Sequence, residues 1–312
     1  MKYEQLSQEL RLSRLQHPKR RVRIVMDTDT FNEIDDQFAI VYALLSPEAV
    51  DVEAFYAAPF YNELSEGPAD GMEKSYQELL KISKLMGTEG RIPVYRGSTT
   101  YLPDASTPVV SEASEDLVQR ALASPDDDPL YVVAIGAITN VASAILMEPS
   151  IASKIVVVWL GGHALHWPDT KEFNLFQDLH ASRVLMDSGV PLVLLPVAGV
   201  SSHLVTTLSE LRDYVLPCGE IGEYLYETFL NCSTDHFGYS RVIWDIAAIA
   251  WLVNENWLPS ALAPSPHISE DFRWSADPYR HFVKVAQFAD RNAVFRDLFR
   301  KLASNTFTKD VE

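Results

Sequence analysis

Short apolar runs alternate along the first two thirds of the chain with segments of helical periodicity. The apolar runs have the length of strands and lie at residues 22–26, 52–57, 92–95, 131–135, 155–160 and 191–197. Apolar residues recur with a helical period at residues 37–45, 72–86, 112–123, 141–147 and 180–188. Strands separated by helices predict an α/β fold, with a mainly parallel central sheet covered by helices on both faces.

The last third of the chain has a more helical pattern, followed by a proline-rich stretch at residues 258–278. We expect this part to add helices and loops that fold over the functional site. With 312 residues, 47% of them hydrophobic, the chain can bury a large core. The sequence therefore predicts an N-terminal extension at residues 1–23 and a single domain at residues 24–312.

The charge balance argues against two classes of partner. The chain has 26 Lys and Arg residues against 43 Asp and Glu residues, and this net charge of -17 repels phosphate backbones and anionic membranes. No apolar run approaches the roughly 20 residues that span a bilayer. Cys218 and Cys232 lack the close spacing of a zinc or redox motif. We therefore expect no nucleic-acid or membrane partner, reduced thiols and a cytoplasmic location.

Five carboxylates follow the first predicted strand within ten residues: Asp27, Asp29, Glu33, Asp35 and Asp36. Carboxylates this close repel one another, and a hard divalent cation with oxygen ligands is the simplest compensation. The alternative is an acidic surface turn that also caps the following helix.

Three of the predicted loops begin where parallel strands end, at residues 27–36, 136–140 and 161–169. Ligand sites of parallel sheets lie at this edge, so these loops are expected to meet in one crevice. Two further motifs lie downstream. Glu172 and Asn174 are separated by one residue, and Asp245 follows Trp244 at the start of a predicted apolar helix.

Together, the acidic loop, the Gly-Ala-Ile-Thr-Asn segment at residues 136–140, Glu172-Phe173-Asn174 and Trp244-Asp245 resemble the nucleoside hydrolases. These calcium-dependent enzymes cleave the N-glycosidic bond of ribonucleosides, and the similarity runs in order from about residue 23 to residue 252. The resemblance implies a nucleoside hydrolase-like fold, a Ca²⁺ cofactor, a nucleoside substrate and a homodimer or homotetramer. It also implies release of free base and ribose by a calcium-bound water.

The resemblance assigns roles within the acidic loop. It makes Asp29 both a metal ligand and the general base toward the attacking water, Asp35 a contact of the sugar hydroxyls, and Asp36 a metal ligand. A carboxylate beside calcium is suited to take a proton from a metal-acidified water. The loop at residues 30–34 is two residues longer than the usual form of the family, which leaves the division of roles among the acids open.

The remaining site residues also follow from the resemblance. It implies that calcium binds the backbone carbonyl of Thr139 and the carboxylate of Asp245. Glu172 and Asn174 match the residues that hold the outer ribose hydroxyls, and Asn62 matches a further ribose-binding Asn. Helix capping by Thr139 and a solvated loop for Glu172 and Asn174 are the structural alternatives.

Trp244 stands where many members of the family carry a His that protonates the departing base. An indole cannot act as a general acid, although it can stack on a nucleobase or pack in the core. The sequence therefore leaves activation of the leaving group open. Six other residues lie in loops that could reach the crevice, and their spacing does not favour any one of them as the acid: His163, His166, His203, His236, Tyr239 and Arg241.

Two other functions are compatible with parts of the pattern. A strand followed by residues 27–30, Asp-Thr-Asp-Thr, also matches the opening motif of haloacid dehalogenase-type aspartyl-phosphate phosphatases. That class requires a later Lys and a downstream acidic pair, neither of which is evident in order. The longer acidic loop and Trp244 also allow a non-catalytic or substrate-shifted relative that binds a ribosyl compound.

Overall fold

The structure is a computed structural model, and it describes residues 6–309. The strands are β1 (Val22–Thr28), β2 (Val50–Ala57), β3 (Val94–Arg96), β4 (Leu130–Ala134), β5 (Ile155–Leu160), β6 (Leu192–Leu195), β7 (Val205–Thr206), β8 (Arg241–Val242), β9 (Ser260–Pro264), β10 (His267–Ile268), β11 (Trp274–Ser275) and β12 (Phe282–Ala286). The α-helices are α1 (Gln8–Arg14), α2 (Asp35–Leu44), α3 (Pro68–Leu85), α4 (Glu112–Ala123), α5 (Thr139–Met147), α6 (Phe173–Gln177), α7 (Leu179–Ser188), α8 (Leu208–Tyr214), α9 (Gly219–Asn231), α10 (Ile246–Val253) and α11 (Arg291–Lys309). Short 3₁₀ helices lie at Pro149–Ser153 and Ser201–His203.

Within residues 6–309, eight strands form the central sheet in the order β3-β2-β1-β4-β5-β6-β12-β9. Every neighbouring pair is parallel except β12 and β9. Ile24 and Met26 of β1 pack into one hydrophobic core, whereas Val25 between them packs into another. Helices α2 and α10 contribute to the first core, and α5 and α7 to the second. The predicted fold class is therefore confirmed: the sheet is mainly parallel, with helices on both faces.

The C-terminal third departs from the expectation that it only covers the site. Strand β12 pairs with β6 and extends the parallel sheet, and β9 closes that edge in antiparallel orientation. Proline lacks a backbone N–H and is tolerated in sheets mainly at edge strands, which accounts for Pro264 at the end of β9. The proline-rich stretch thus contributes to the sheet as well as to the loops.

The N-terminal segment packs against the domain. Ser7 caps helix α1 by accepting a hydrogen bond from the backbone N of Leu10, and Leu15 is buried in the core. Arg11 Nε donates to the carbonyl of Gly189 at 3.2 Å, next to the end of α7. The division into an extension at residues 1–23 and a domain at residues 24–312 stays a prediction, and residues 1–5 and 310–312 lie outside the described part of the chain.

None of the helices between residues 6 and 309 combines the length and the apolar character required to cross a membrane.

Candidate active site

Four buried carboxylates from three elements meet at the carboxyl edge of the sheet. Asp29 follows β1, Asp35 and Asp36 form the first turn of α2, and Asp245 is the N-cap residue of α10. Oxygen atoms of Asp35, Asp36 and Asp245 lie within 4.8 Å of one another. The structure therefore brings together acids that are about two hundred residues apart in the sequence.

We call the space above these acids the acidic cavity; its volume is about 270 Å³. It is lined by Asp29, Asn32, Glu33, Asp35, Asp36, Ile135, Leu160, His163, Lys171, Glu172, Phe173, Asn174, Val197, Trp244 and Asp245. Asp29 lies beside the close group of three acids rather than within it, and the charges of Asp35 and Asp36 raise its pKa. Asp35 was predicted to contact the sugar. Its carboxylate nevertheless lies close enough to those of Asp36 and Asp245 to share a metal ion with them.

Burial and mutual repulsion raise the pKa values of these acids. The pKa of Asp36 is raised to about 7, chiefly by burial. Burial, with repulsion from neighbouring carboxylates, raises the pKa values of Asp29, Asp35 and Asp245 well above the ordinary range. Asp29 Oδ2 is buried without a hydrogen-bond partner among the described residues. An oxygen-only donor set that lacks compensation fits a hard divalent cation such as Ca²⁺.

Asp27 is held apart from this group by the start of α5. Its Oδ1 accepts a hydrogen bond from Asn140 Nδ2 at 2.7 Å. Asn140 Oδ1 in turn accepts from the backbone N of Ser98 at 2.7 Å. Burial raises the pKa of Asp27 to about 7. Asp27 therefore joins β1 to α5 instead of facing the other acids.

Thr139 is buried at the start of α5, and its hydroxyl donates to Asp178 Oδ2 at 2.8 Å. Asp178 also accepts from the backbone N of Leu102 at 2.9 Å and caps α7 through the backbone N of Ala181 at 2.9 Å. Asp178 is therefore an anchor for three segments. The role predicted for the Thr139 carbonyl as a calcium ligand stays a prediction.

Glu172 and Asn174 are fixed by backbone contacts at the rim of the acidic cavity. Glu172 accepts from the backbone N atoms of Asn174 at 2.9 Å, Leu175 at 3.1 Å and Gly162 at 2.8 Å. Burial nevertheless raises the pKa of Glu172 to about 7. Asn174 Nδ2 donates to the carbonyls of Ile135 at 3.2 Å and Leu160 at 3.0 Å. This leaves the side-chain oxygen of Asn174 as its acceptor toward the cavity.

Trp244 lines the acidic cavity, and its backbone N donates to Asp35 Oδ2 at 3.1 Å. Asn62 lies elsewhere: its Nδ2 donates to Asn32 Oδ1 at 2.6 Å, and it lines a neighbouring space of about 660 Å³. We call this space the second cavity; it is lined by Phe31, Asn32, Glu33, Ile34, Gln37, Asn62, Glu63, Leu64, Glu78, Lys81, Phe173, Tyr224, Thr228, Asn231, Cys232 and Arg241. The structure thus separates Asn62 from the other residues predicted to bind the pentose.

The comparison with protein families is decisive. A profile described as "Inosine-uridine preferring nucleoside hydrolase" matches residues 24–300. The chain belongs to this family. Its enzyme class is that of the nucleoside hydrolases, as predicted from the sequence.

Individual relatives agree with this membership. A pyrimidine-specific ribonucleoside hydrolase, RihA, of Escherichia coli O81 (strain ED1a) is 26% identical over 258 residues, covering 74% of this chain and 79% of the relative. The structure is similar in fold to a plant nucleoside hydrolase, with a TM-score of 0.71, 22% identity and coverage of 91% and 99% of the two chains. It is also similar to a purine-preferring ribonucleoside hydrolase from Gardnerella vaginalis, with a TM-score of 0.71, 18% identity and the same coverage.

Several residues of this nucleoside hydrolase site were named as candidates in the sequence but had no role assigned to them. Glu33, placed only in the acidic loop, lies between the two cavities and binds Arg241, whose Nη2 is 2.8 Å from Glu33 Oε2. His163 lines the acidic cavity, and its Nδ1 accepts from the backbone N of Ala198 at 3.3 Å. The other candidate histidines, His166, His203 and His236, line neither cavity. The Gly-Gly pair that precedes His163 at a strand end was the one signal that could have placed it.

Proposed function

We propose that this chain hydrolyses the N-glycosidic bond of ribonucleosides to free base and ribose, with calcium as its cofactor. One observation carries the proposal: Asp29, Asp35, Asp36 and Asp245 form a buried group of acids in a cavity at the carboxyl edge of the sheet. The family membership supports the reaction, and the donor set fits the metal.

Asp29, Asp36, Asp245 and the Thr139 carbonyl would hold the calcium ion. When bound, the ion supplies water of lowered pKa and coordinates the sugar hydroxyls. Asp29, whose Oδ2 has no partner among the described residues, accepts the proton of the attacking water. As the bond to the base lengthens, positive charge develops on the sugar ring, and the carboxylates around it stabilise that charge.

The other lining residues orient the substrate. Asp35 contacts the hydroxyls of the pentose on the side of the acids. Glu172 and Asn174, fixed by the strand ends and by the first turn of α6, face the outer hydroxyls, which lose water in the cavity and need new partners. Trp244 stacks on the base or closes the cavity around it.

A panel of purine and pyrimidine ribonucleosides tests this function, with free base measured in the presence of Ca²⁺ and of a chelator. Because the named relatives include a pyrimidine-specific and a purine-preferring enzyme, both base classes belong in the panel. We expect base release from at least one ribonucleoside, its loss with chelator and its recovery on adding Ca²⁺. Absence of release from every member contradicts the proposal.

The second candidate is a relative that binds a ribosyl compound without cleaving it. Trp244 favours it, because no imidazole occupies that position to protonate a leaving group. Intact nucleoside bound to the calcium-loaded protein, without base release, would support this candidate. Assembly as a homodimer or homotetramer and a cytoplasmic location stay predictions.

A further inference from the structure

The second cavity adjoins the acidic cavity, and Asn32, Glu33 and Phe173 line both. If a pentose occupies the acidic cavity, as in the proposed function on which this inference rests, its base projects out of that cavity from C1′. The adjoining space beyond Asn32 and Glu33 is where the base has room. The residues that line it therefore determine how the base is bound and how it departs.

A positively charged side chain, that of Arg241, lies at the junction of the two cavities. Arg241 of β8 lines the second cavity and donates through Nη2 to Glu33 Oε2 at 2.8 Å. The side chain of Arg241 is 25% exposed, and its Nε is buried without a hydrogen-bond partner among the described residues. An unmade hydrogen bond at a buried guanidinium N–H is costly, and a ligand that accepts it removes that cost. Glu33 thus holds Arg241 in place, and the Nε–H group of Arg241 remains able to donate a hydrogen bond to a ligand.

An acceptor lines the same cavity. Gln37 of α2 is only 4% exposed, and its Oε1 is buried without a partner in the described part of the chain. The amide of Gln37 interacts with Glu78, which is also held by the hydroxyl of Tyr224 and lies 3.8 Å from Lys81 Nζ. Because a carboxylate accepts hydrogen bonds, Gln37 directs its NH₂ group to Glu78. The side-chain oxygen of Gln37 is therefore free to accept a hydrogen bond from a ligand.

We propose that Gln37 and Arg241 bind the hydrogen-bonding edge of the base, and that Arg241 stabilises the negative charge that develops on the base as it leaves. A nucleobase offers the matching donor and acceptor on one edge. In the reaction, the electron pair of the N-glycosidic bond goes to the base nitrogen, and the water oxygen bonds to C1′. One water proton goes to Asp29, and the base anion later takes a proton from solvent.

This assignment accounts for leaving-group activation without an imidazole. The indole N–H of Trp244 is too weak an acid to protonate the departing base. His163 does not line the second cavity, and its Nδ1 accepts a backbone hydrogen bond, so its proton is on Nε2 and the ring is neutral. A guanidinium keeps its charge at any pH at which the protein is folded, and it binds an anionic base edge as it binds a carboxylate.

The test compares two substrates that differ in their need for help at the leaving group. A ribonucleoside expels a strongly basic anion, whereas 4-nitrophenyl β-D-ribofuranoside expels a stable phenolate. For Arg241→Gln we expect kcat/KM on the ribonucleoside to fall by about 100-fold or more, the usual effect of removing a donor to a developing anion. We expect a much smaller loss on the nitrophenyl riboside, and a smaller loss on the ribonucleoside for the charge-preserving Arg241→Lys than for Arg241→Gln.

Arg212→Gln is the matched control, because Arg212 is an exposed arginine that lines neither cavity, and this variant should retain both activities. An equal loss on both substrates for Arg241→Gln, or no loss on either, overturns the role of Arg241. Thermal unfolding of each variant shows whether the fold is retained.

Binding of free base separates this inference from the proposed function. The Kd values of uracil and hypoxanthine are measured with ribose present, for the wild type, Gln37→Leu and Arg241→Gln. At least tenfold weaker binding of a base by both variants supports the site, and unchanged affinity overturns it. A wild type that cleaves neither riboside refutes the proposed function, and base binding then decides this inference alone.

Discussion

At the scale of single residues, Asp29 allows the sharpest prediction. It is buried beside three other acids, and its Oδ2 has no partner among the described residues, which suits a carboxylate that ligates a cation and takes a proton. We expect Asp29→Ala to lower kcat for base release by at least ~100-fold, since it removes a general base and a metal ligand together.

The control for Asp29→Ala is Asp213→Asn, which removes one carboxylate from the exposed end of α8 and should leave kcat unchanged. Thermal unfolding distinguishes a loss of catalysis from a loss of fold. Near-normal hydrolysis by Asp29→Ala would refute the role assigned to this residue.

The sequence could predict the acids of the site but not all of their neighbours. Asp35, Asp36 and Asp245 meet because strand ends and helix starts share one edge of a parallel sheet, and both were visible as patterns. The pair formed by Glu33 and Arg241 depends on the path of an irregular loop and on the place of the two-residue strand β8, and no periodicity specifies either. For the same reason, the sequence could not predict that Asn62 lines the second cavity.

At the scale of elements, the turn between β4 and α5 supports the position of Asp29. A Cβ atom at Gly136 would lie 3.1 Å from both the backbone N and Oδ1 of Asp29 and 3.1 Å from Ala58 Cβ. Such contacts require a shift of a few tenths of an ångström. We therefore expect Gly136→Ala to lower kcat through displacement of Asp29, with the fold retained.

Gly67→Ala is the matched substitution for Gly136→Ala. No atom lies within 4 Å of a Cβ at Gly67, and its backbone is extended, so this variant should keep full activity. Steady-state kinetics and circular dichroism of both variants check the prediction. Equal activities of the two variants would show that Asp29 tolerates the added methyl group.

Predictability also differed among elements. Residues 112–123 and 155–160 were predicted with the limits that α4 and β5 have, because their apolar patterns are long and regular. Strands β9 and β12 were missed, because their place in the sheet depends on pairing with each other and with distant β6. The prolines around β9 made a strand look still less favourable.

At the scale of the whole molecule, the buried acids make stability depend on pH and on the cation. The pKa values of Asp27, Asp36 and Glu172 are raised to about 7 by burial, against ordinary values near 4. The folded chain then binds more protons than the unfolded chain between about pH 4 and pH 7, so the free energy of unfolding falls as pH rises through this window. His281, whose burial lowers its pKa to about 4, opposes this trend.

His163, whose pKa is also lowered by burial, opposes the trend as well. Because, among the described residues, only these two imidazoles oppose several carboxylates, we expect the Tm of the metal-free protein to fall between pH 5 and pH 8. Saturating Ca²⁺ should reduce that fall, since the ion favours the ionised acids. In Asp245→Asn, which removes one of the close acids, Ca²⁺ should have little effect on Tm. A Tm of the metal-free protein that rises with pH over this range would show that the buried acids do not bind extra protons in the folded state.

Calorimetric titration of the metal-free protein with Ca²⁺ tests most directly whether the acids that follow β1 and the acid that begins α10 hold one cation together. We expect one Ca²⁺ site per chain in the wild type, and binding at least tenfold weaker in Asp245→Asn and in Asp36→Asn. We expect unchanged binding in Asp213→Asn. Absence of binding to the wild type, or equal binding in all four proteins, would contradict it.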